Sequence, residues 1–97
     1  MKSVLFKRET FVLKALANAK RLEIISLLKK RELSVRELVS SMKFRQSNVS
    51  QHLMILKKVG IVESRRNGKN MYYRLSTYAI GKIPDIMIKE NWLHPKQ

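Results

Sequence analysis

Hydrogen-bonding side chains dominate residues 46–58, and their spacing would let a helix read the edges of DNA bases. At about 100° per helical residue, Ser47 and Gln51 point away from the apolar face, flanked by Asn48 and Ser50. Gln and Asn amides can form paired hydrogen bonds with adenine in the major groove, and Ser can donate or accept there. The predicted core face of the same helix consists of Val49, Leu53 and Leu56.

An ordinary amphipathic surface helix is the alternative. Its outer face would carry mainly Glu and Lys, because these residues form helices better than Ser and Asn do. No Asp, Glu, Lys or Arg lies between Gln46 and Ile55, so the segment favours base reading. Lys57 and Lys58 follow, where they could meet phosphate. His52 lies beside the apolar face, and both a packed structural role and a DNA contact are open to it.

A basic hairpin is predicted after this helix. Residues 61–64 and 71–75 have the composition of strands, and Asn67-Gly68 favours a hairpin turn between them. Cations on the intervening loop, residues 65–70, could meet phosphates or enter the minor groove. A solvated charged turn without any partner is the alternative. The cations expected to contact DNA are Arg65, Arg66 and Lys69.

Three further helices are predicted before the polar helix, and they must position it. Apolar spacing indicates helices over residues 4–17 and 19–30, of which the second is largely buried. Ser34 and Glu37 have the spacing of a capping box at the start of a third helix. The polar helix itself ends at Gly60, a left-handed cap residue. The expected fold is mainly α with a small β-hairpin, in the order α-α-α-α-β-β-α.

Two segments are less defined by the sequence. Residues 32–34 could form a short strand or a turn. Pro84 lacks an N–H group and clashes with a preceding helical turn, which argues against one helix from Ser76 to Trp92. We therefore expect a short turn over residues 77–82 and a last helix that starts near Ile83–Pro84. The path of the chain around Pro84 is left open.

The tail is more apolar than a solvent-exposed helix needs to be, which predicts a partner surface. Packing of the tail onto its own core is the alternative. The segment 77–97 is therefore expected to take part in dimerisation. Its apolar residues are Ile80, Ile83, Ile86, Met87, Ile88 and Trp92.

Composition limits the class of partner. Ninety-seven residues predict a single domain, residues 1–97. Lys and Arg number 21 against 7 Asp and Glu, giving a net charge of +14, which favours nucleic acid over a membrane surface. A merely soluble basic surface is the alternative. The absence of cysteine excludes disulfides and thiolate sites, and no signal peptide or membrane span is evident, so a cytoplasmic protein is expected.

Four segments together resemble the ArsR/SmtB family of prokaryotic winged-helix repressors. They are LKALANAKRLEIISLL (13–28), SVRELVSSM (34–42), QSNVSQHLMILKKVGIV (46–62) and RRNGKNMYYRL (65–75). The resemblance implies a homodimer, paired through its first and last helices, that binds a palindromic operator in double-stranded DNA. It adds Phe6 of the first helix to the expected dimer interface. By position, the recognition candidates are Gln46, Ser47, Asn48, Ser50, Gln51 and His52.

The sensor residues of the family are missing from their usual positions. Members that sense arsenic or heavy metals often carry two cysteines where this chain has Ser34 and Arg36. The zinc-ligand positions of other members correspond approximately to Thr77, Ala79, Glu90 and Leu93. No metal, cofactor or thiol switch is therefore expected. A makeshift metal site would need Asp85, Glu90 and His94, whose spacing matches no known pattern.

The turn before the recognition helix also departs from the family pattern. Lys43 stands where the family commonly has Gly, and Arg45 stands where it has a Ser or Thr cap. The missing cap hydroxyl should cost about 1 kcal/mol, and a cation at a helix N-terminus opposes the helix dipole. Phosphate binding by Arg45 would offset part of this cost, so Arg45 is included among the expected DNA contacts.

The sequence thus favours a DNA-binding transcription regulator, expected to act as a repressor. A non-specific architectural DNA-binding protein is one alternative, because +14 exceeds what operator binding requires. A protein-interaction module on a winged-helix scaffold is another, because a fold does not fix a function. No enzyme is expected, since two histidines without cysteine or clustered carboxylates provide no acid–base or nucleophilic constellation.

Overall fold

Five helices and three strands form the part of the chain that the computed structural model describes, residues 6–82. In chain order they are α1 (Lys7–Leu16), α2 (Ala19–Lys30), β1 (Leu33–Ser34), α3 (Val35–Met42), α4 (Gln46–Lys58), β2 (Val62–Asn67), β3 (Asn70–Leu75) and α5 (Thr77–Lys82). The predicted mainly helical winged helix-turn-helix is confirmed. Within residues 6–82, no helix is long and apolar enough to cross a membrane.

The sheet has three strands, in the order β1-β3-β2, and both pairings are antiparallel. Leu33 and Ser34 pair with Tyr73 and Tyr72. Of the strand and the turn left open for residues 32–34, the structure has the strand, which adds one element to the predicted order. A two-residue strand carries no alternation that a sequence could show, and it exists only because β3 offers a free edge to pair with.

The buried helix α2 begins at a side-chain cap. The Asn18 side chain accepts a hydrogen bond from the Arg21 N–H at 3.1 Å, which satisfies one of the otherwise free donors of the first turn. Leu22, Ile24, Ile25 and Leu28 are buried, as expected for a central helix.

The capping box predicted at α3 is present. The Ser34 hydroxyl accepts from the Glu37 N–H at 3.1 Å, and the Glu37 carboxylate accepts from the Ser34 N–H at 2.8 Å. This backbone hydrogen bond lowers the pKa of Glu37. The box fixes where α3 starts and therefore how the helix-turn-helix leaves the sheet.

The core face of α4 was also predicted correctly. Val49, Leu53 and Leu56 have no exposed surface and pack into one cluster with α2, α3 and the start of β2. Full burial of such a side chain stabilises the fold by roughly 2 kcal/mol. Because this apolar face is fixed against the core, the opposite, polar face of α4 must point outward.

Residues 77–82 form helix α5, so the predicted turn over this segment is wrong. Ser76 starts the helix: its hydroxyl donates to the Gly60 carbonyl at 2.6 Å and accepts from the Ala79 N–H at 3.0 Å. The steric clash of Pro84 with a preceding helical turn thus does not prevent a helix over residues 77–82. The predicted start of a last helix near Ile83–Pro84 lies outside the described residues.

Candidate nucleic-acid interface

The outward face of α4 carries polar side chains that are free to bind a partner. Ser47, Ser50 and Gln51 are exposed, and Asn48 is half-buried. Within residues 6–82, neither these side chains nor that of Gln46 make a hydrogen bond. The side chains that the sequence predicted as base contacts are therefore brought together on one solvent-facing surface.

The turn into α4 has the unusual features that the sequence indicated. Lys43 adopts a left-handed conformation with φ 52°, the only non-glycine residue with positive φ in the described part of the chain. Arg45 is the N-cap residue, and its side chain makes no capping hydrogen bond. The first N–H groups of α4 consequently lack a side-chain acceptor, and a cation stands at the positive end of the helix dipole.

His52 is held in a cluster at the edge of α4. Its ring stacks on Phe44, with centroids 6.1 Å apart, and its Nδ1 lies 3.2 Å from the Arg21 guanidinium. Because arginine only donates, Nδ1 must accept this hydrogen bond, which places the ring proton on Nε2. Burial, then the charges of Arg21 and Lys20, lower the pKa of His52. This packing favours the structural alternative for His52 over a DNA contact.

Arg21 joins three elements through the same cluster. Its Nε donates to the Ala15 carbonyl at 2.6 Å, while its guanidinium reaches His52. Lys20 lies 4.6 Å above the centroid of the Phe44 ring. These contacts hold the side of α4, which we call the reading helix, against three segments: the end of α1, the start of α2 and the turn before α4. Arg21 was not predicted from the sequence, because its partners lie up to 31 positions away.

The hairpin of β2 and β3, which we call the wing, has longer strands and a shorter loop than predicted. Strands β2 and β3 pair out to Asn67 and Asn70, leaving only Gly68 and Lys69 between them. Gly68 has φ 66°, which a two-residue hairpin turn requires at its first central position. Arg65 and Arg66 therefore lie on a strand and not in the flexible loop expected for residues 65–70.

Strand alternation sends the two arginines to opposite faces of the sheet. Arg66 shares its face with Ser64, whose hydroxyl accepts a hydrogen bond from the Lys57 ammonium of α4 at 2.7 Å. Arg66 is thus on the side of the reading helix, where it has no ion pair or hydrogen bond within residues 6–82. Lys58 and Lys69 are likewise exposed without a partner in the described part.

Arg65 lies on the other face, which we call the outer sheet face. This face comprises Glu32, Glu63, Arg65, Tyr72 and Arg74. The Arg65 guanidinium donates to both Glu32 oxygens at 2.8 and 2.9 Å and lies 5.1 Å from the Tyr72 ring centroid. The hydrogen bond lowers the pKa of Glu32 and raises that of Arg65. A DNA contact by Arg65 would require this pair to open.

Two of the expected dimer residues lie in the described part, and both are exposed. Phe6 is 59% exposed and Ile80 is 68% exposed. Phe11 and Leu13 of α1 are also exposed, at 52% and 59%, and the sequence analysis did not single them out. The sequence signal that could have identified these two residues is their apolar character on a helix that is partly exposed to solvent. The remaining candidates, Ile83, Ile86, Met87 and Trp92, lie outside the described residues.

The metal-ligand positions of the family hold no suitable cluster in residues 6–82. No three His, Cys, Asp or Glu side chains there come close enough together to hold a metal ion. Ser34 is used by the capping box, and Thr77 and Ala79 are the first and third residues of α5. The positions Asp85, Glu90, Leu93 and His94 lie outside the described residues.

Comparison with known proteins gives the family. A model of bacterial regulatory proteins of the arsR family matches residues 13–64. The transcriptional activator HlyU of Vibrio cholerae is 38% identical over 76 residues, covering 78% of this chain and 70% of HlyU. The repressor SmtB of Mycobacterium tuberculosis is 39% identical over 72 residues, covering 74% of this chain and 53% of SmtB.

A solved structure agrees with this relationship. The homodimeric winged helix-turn-helix DNA-binding domain Mb0332 from Mycobacterium bovis, a possible ArsR-family transcriptional regulator, has a TM-score of 0.71 and 31% identity. The match covers 96% of this chain and 75% of that one. Together with the polar face of α4 and the basic wing, these matches confirm a regulator and not an enzyme. The chain belongs to the ArsR family of bacterial regulatory proteins and is a DNA-binding transcription regulator of the winged helix-turn-helix type.

Proposed function

We propose that this chain acts as a homodimer that binds a palindromic operator and represses transcription without a metal or thiol switch. The observation that carries the proposal is the outward face of α4, where five polar side chains have no hydrogen-bond partner within residues 6–82. In the major groove these groups would gain partners on base edges. Because its DNA lies in the bacterial cytoplasm, we place its action there.

The reading helix α4 would divide its contacts along its length. Ser47, Asn48 and Gln51 are the best-placed side chains for base edges, with Gln46 and Ser50 beside them. The cations Arg45, Lys57 and Lys58 would meet phosphate at the two ends of the helix, positioning it without carrying sequence information. Lys57 can do so while it keeps its hydrogen bond to Ser64, because an ammonium has three donors.

The wing would hold the adjacent backbone with the cations on its α4 side. Arg66 and Lys69 fit this role because both are exposed and unpaired in the described part of the chain. Arg65 is a weaker candidate, since Glu32 engages it on the outer sheet face.

Dimerisation would provide the second half-site. Two copies would place their reading helices about 34 Å apart along the DNA, one helical turn. The exposed apolar residues of α1 and Ile80 support such a pairing, as does the homodimeric state of the Mb0332 domain. Ile83, Ile86, Met87 and Trp92 stay in the proposed interface as sequence-based candidates.

We propose repression because a protein that is bound to an operator overlapping a promoter is sufficient to block transcription. The relatives point both ways, since SmtB is named a repressor and HlyU an activator. Transcription in vitro from a promoter that contains the selected site separates the two outcomes. Reduced transcript in the presence of the protein supports repression, and increased transcript contradicts it.

Binding-site selection from random duplex DNA, followed by affinity measurements at physiological salt, tests DNA reading. We expect a selected duplex with inverted repeats that binds at least roughly 10³-fold more tightly than a random duplex of equal length. Sedimentation should give two chains per selected duplex. Equal affinity for both duplexes would contradict the proposal and support the architectural alternative instead.

A further inference from the structure

A polar cleft of about 290 Å³ lies between the wing and the helix-turn-helix. The start of α3, the first residue of α4 and the tip of the wing contribute its walls. We call it the wing cleft, and it is lined by Ser34, Val35, Arg36, Gln46, Lys69, Asn70 and Met71. Met71 pairs with Arg66, so the cleft opens on the same side of the sheet as the reading helix.

Two unneutralised cations line the wing cleft. Arg36 and Lys69 are both exposed, and neither has a hydrogen bond or ion pair within residues 6–82. The acid beside Arg36 is Glu37, whose carboxylate is engaged by the Ser34 N–H at 2.8 Å and lies 3.7 Å from Arg31. No Asp or Glu occurs from Leu38 to Val62. The cleft is therefore positively charged.

The two arginines of the outer sheet face are neutralised. Arg65 pairs with Glu32 at 2.8 Å, and Arg74 pairs with Glu63 at 3.1 Å, both on the outer sheet face. The uneven distribution of acids leaves the wing cleft as a site for an anion that comes from outside the chain.

We propose that the wing cleft binds one backbone phosphate of the DNA, with Arg36 and Lys69 as its charged ligands. This inference rests on the proposed function, because α4 in the major groove and the wing on the backbone would bring a phosphate strand across the gap between them. A guanidinium can donate two parallel hydrogen bonds to phosphate oxygens, and the lysine ammonium supplies a second charge. The amides of Gln46 and Asn70 border the cleft and can donate to the same group.

Salt-dependent binding of Arg36→Gln, with Arg74→Gln as the matched control, tests the cleft. Both changes remove one exposed positive charge, but Arg74 lies on the outer sheet face. Affinities are measured on the duplex selected by the wild-type chain and on a random duplex. We expect Arg36→Gln to weaken binding to both duplexes by roughly tenfold and to reduce the salt slope by about 0.9, the value for one lost phosphate contact. Arg74→Gln should change neither quantity comparably.

Single methylphosphonate substitutions, scanned along the selected duplex, locate the contact. One neutralised phosphate should weaken binding of the wild-type chain more than it weakens binding of Arg36→Gln, which retains Lys69. Lys69→Gln, which retains Arg36, should likewise be less sensitive than the wild type at the same position. Unchanged thermal melting of Arg36→Gln excludes misfolding, because this side chain has no partner within residues 6–82.

Equal effects of Arg36→Gln and Arg74→Gln would overturn the inference, as would a methylphosphonate scan that does not distinguish Arg36→Gln from the wild type. Neither result affects the proposed function, whose failure shows separately as equal wild-type affinity for selected and random duplexes. The salt slopes on the random duplex still test the cleft in that case, because a phosphate contact does not depend on sequence.

Discussion

The two faces of the wing carry similar numbers of cations but use them differently. On the outer sheet face, Arg65 and Arg74 are each paired with a glutamate. On the side of the reading helix, Arg66 and Lys69 have no partner within residues 6–82. The net charge of +14 is a sum over the whole chain and does not distinguish the two faces. Only the face whose cations have no acidic partner can exchange its counterions for phosphate. We therefore expect the placement of a few acids to decide which basic surface binds DNA.

The largest expected effect is the loss of sequence reading in Gln51→Ala. A paired hydrogen bond to a base contributes about 1–3 kcal/mol of discrimination, so affinity for the selected duplex should fall roughly 5- to 150-fold. Binding to a random duplex serves as the internal control and should hardly change, because no charge is removed. Fluorescence anisotropy on both duplexes measures this. Equal losses on both would show that Gln51 supports binding in general and does not read sequence.

Arg45→Ser separates stability from binding at the start of the reading helix. A cap hydroxyl should raise the free energy of unfolding by about 1 kcal/mol, because Arg45 makes no capping hydrogen bond. The same change should weaken binding to selected and random duplexes alike, since a phosphate contact is lost. Urea unfolding and salt-dependent titration provide the two measurements. Higher stability with undiminished affinity would remove Arg45 from the interface.

Glu32→Gln tests whether pairing is what keeps Arg65 away from DNA. Without the carboxylate that accepts its two hydrogen bonds, Arg65 can turn toward a phosphate, and affinity for a random duplex should rise severalfold. Glu63→Gln is the matched control, with the same charge change on the same face but with the Glu32–Arg65 pair intact. If both variants gain equally, the Arg65 pair has no specific role, because Glu63→Gln changes the charge equally and releases Arg74 instead.

Local signals in the sequence predicted the parts of the fold that depend on neighbouring residues. The core face of α4 follows from helical spacing, and the Ser34–Glu37 capping box follows from a three-residue offset. Both are present in the structure. A hairpin turn at Gly68 was recognisable too, because an Asn-Gly pair between strands is a strong hairpin signal, but its central residues are Gly68 and Lys69, one position further along than predicted.

The features of the fold that were not predicted depend on pairing between residues that are distant along the chain. Strand β1 forms only against β3, and Glu32 meets Arg65 across 33 positions of the chain. The predicted wing loop was too long because charged residues in a strand resemble a loop when their partners are unknown. Helix α5 was missed because its cap residue, Ser76, is held by a hydrogen bond to the Gly60 carbonyl, 16 positions away. The exposed polar face of α4 was predictable, but not which of the cations are already paired.

The smallest expected effect concerns His52, at the border between the core and the reading face. Its pKa is lowered by burial and by Arg21 and Lys20, so the folded chain takes up a proton at lower pH than the unfolded chain does. The contribution of His52 to the free energy of unfolding is therefore fully present above its ordinary pKa of 6.5 and decreases as the pH falls through the folded pKa. Protonation would also place a hydrogen on Nδ1, against the Arg21 guanidinium.

In His52→Gln this dependence should disappear, since glutamine does not titrate and its side-chain oxygen can accept from Arg21. Urea unfolding of both chains between pH 5 and 8 measures it, and the difference between their slopes cannot exceed about 1.4 kcal/mol per pH unit. The second histidine, His94, is unchanged in both chains, so its contribution cancels. Parallel curves would mean that His52 titrates alike in the folded and unfolded chains, and that the Arg21 contact does not depend on its protonation.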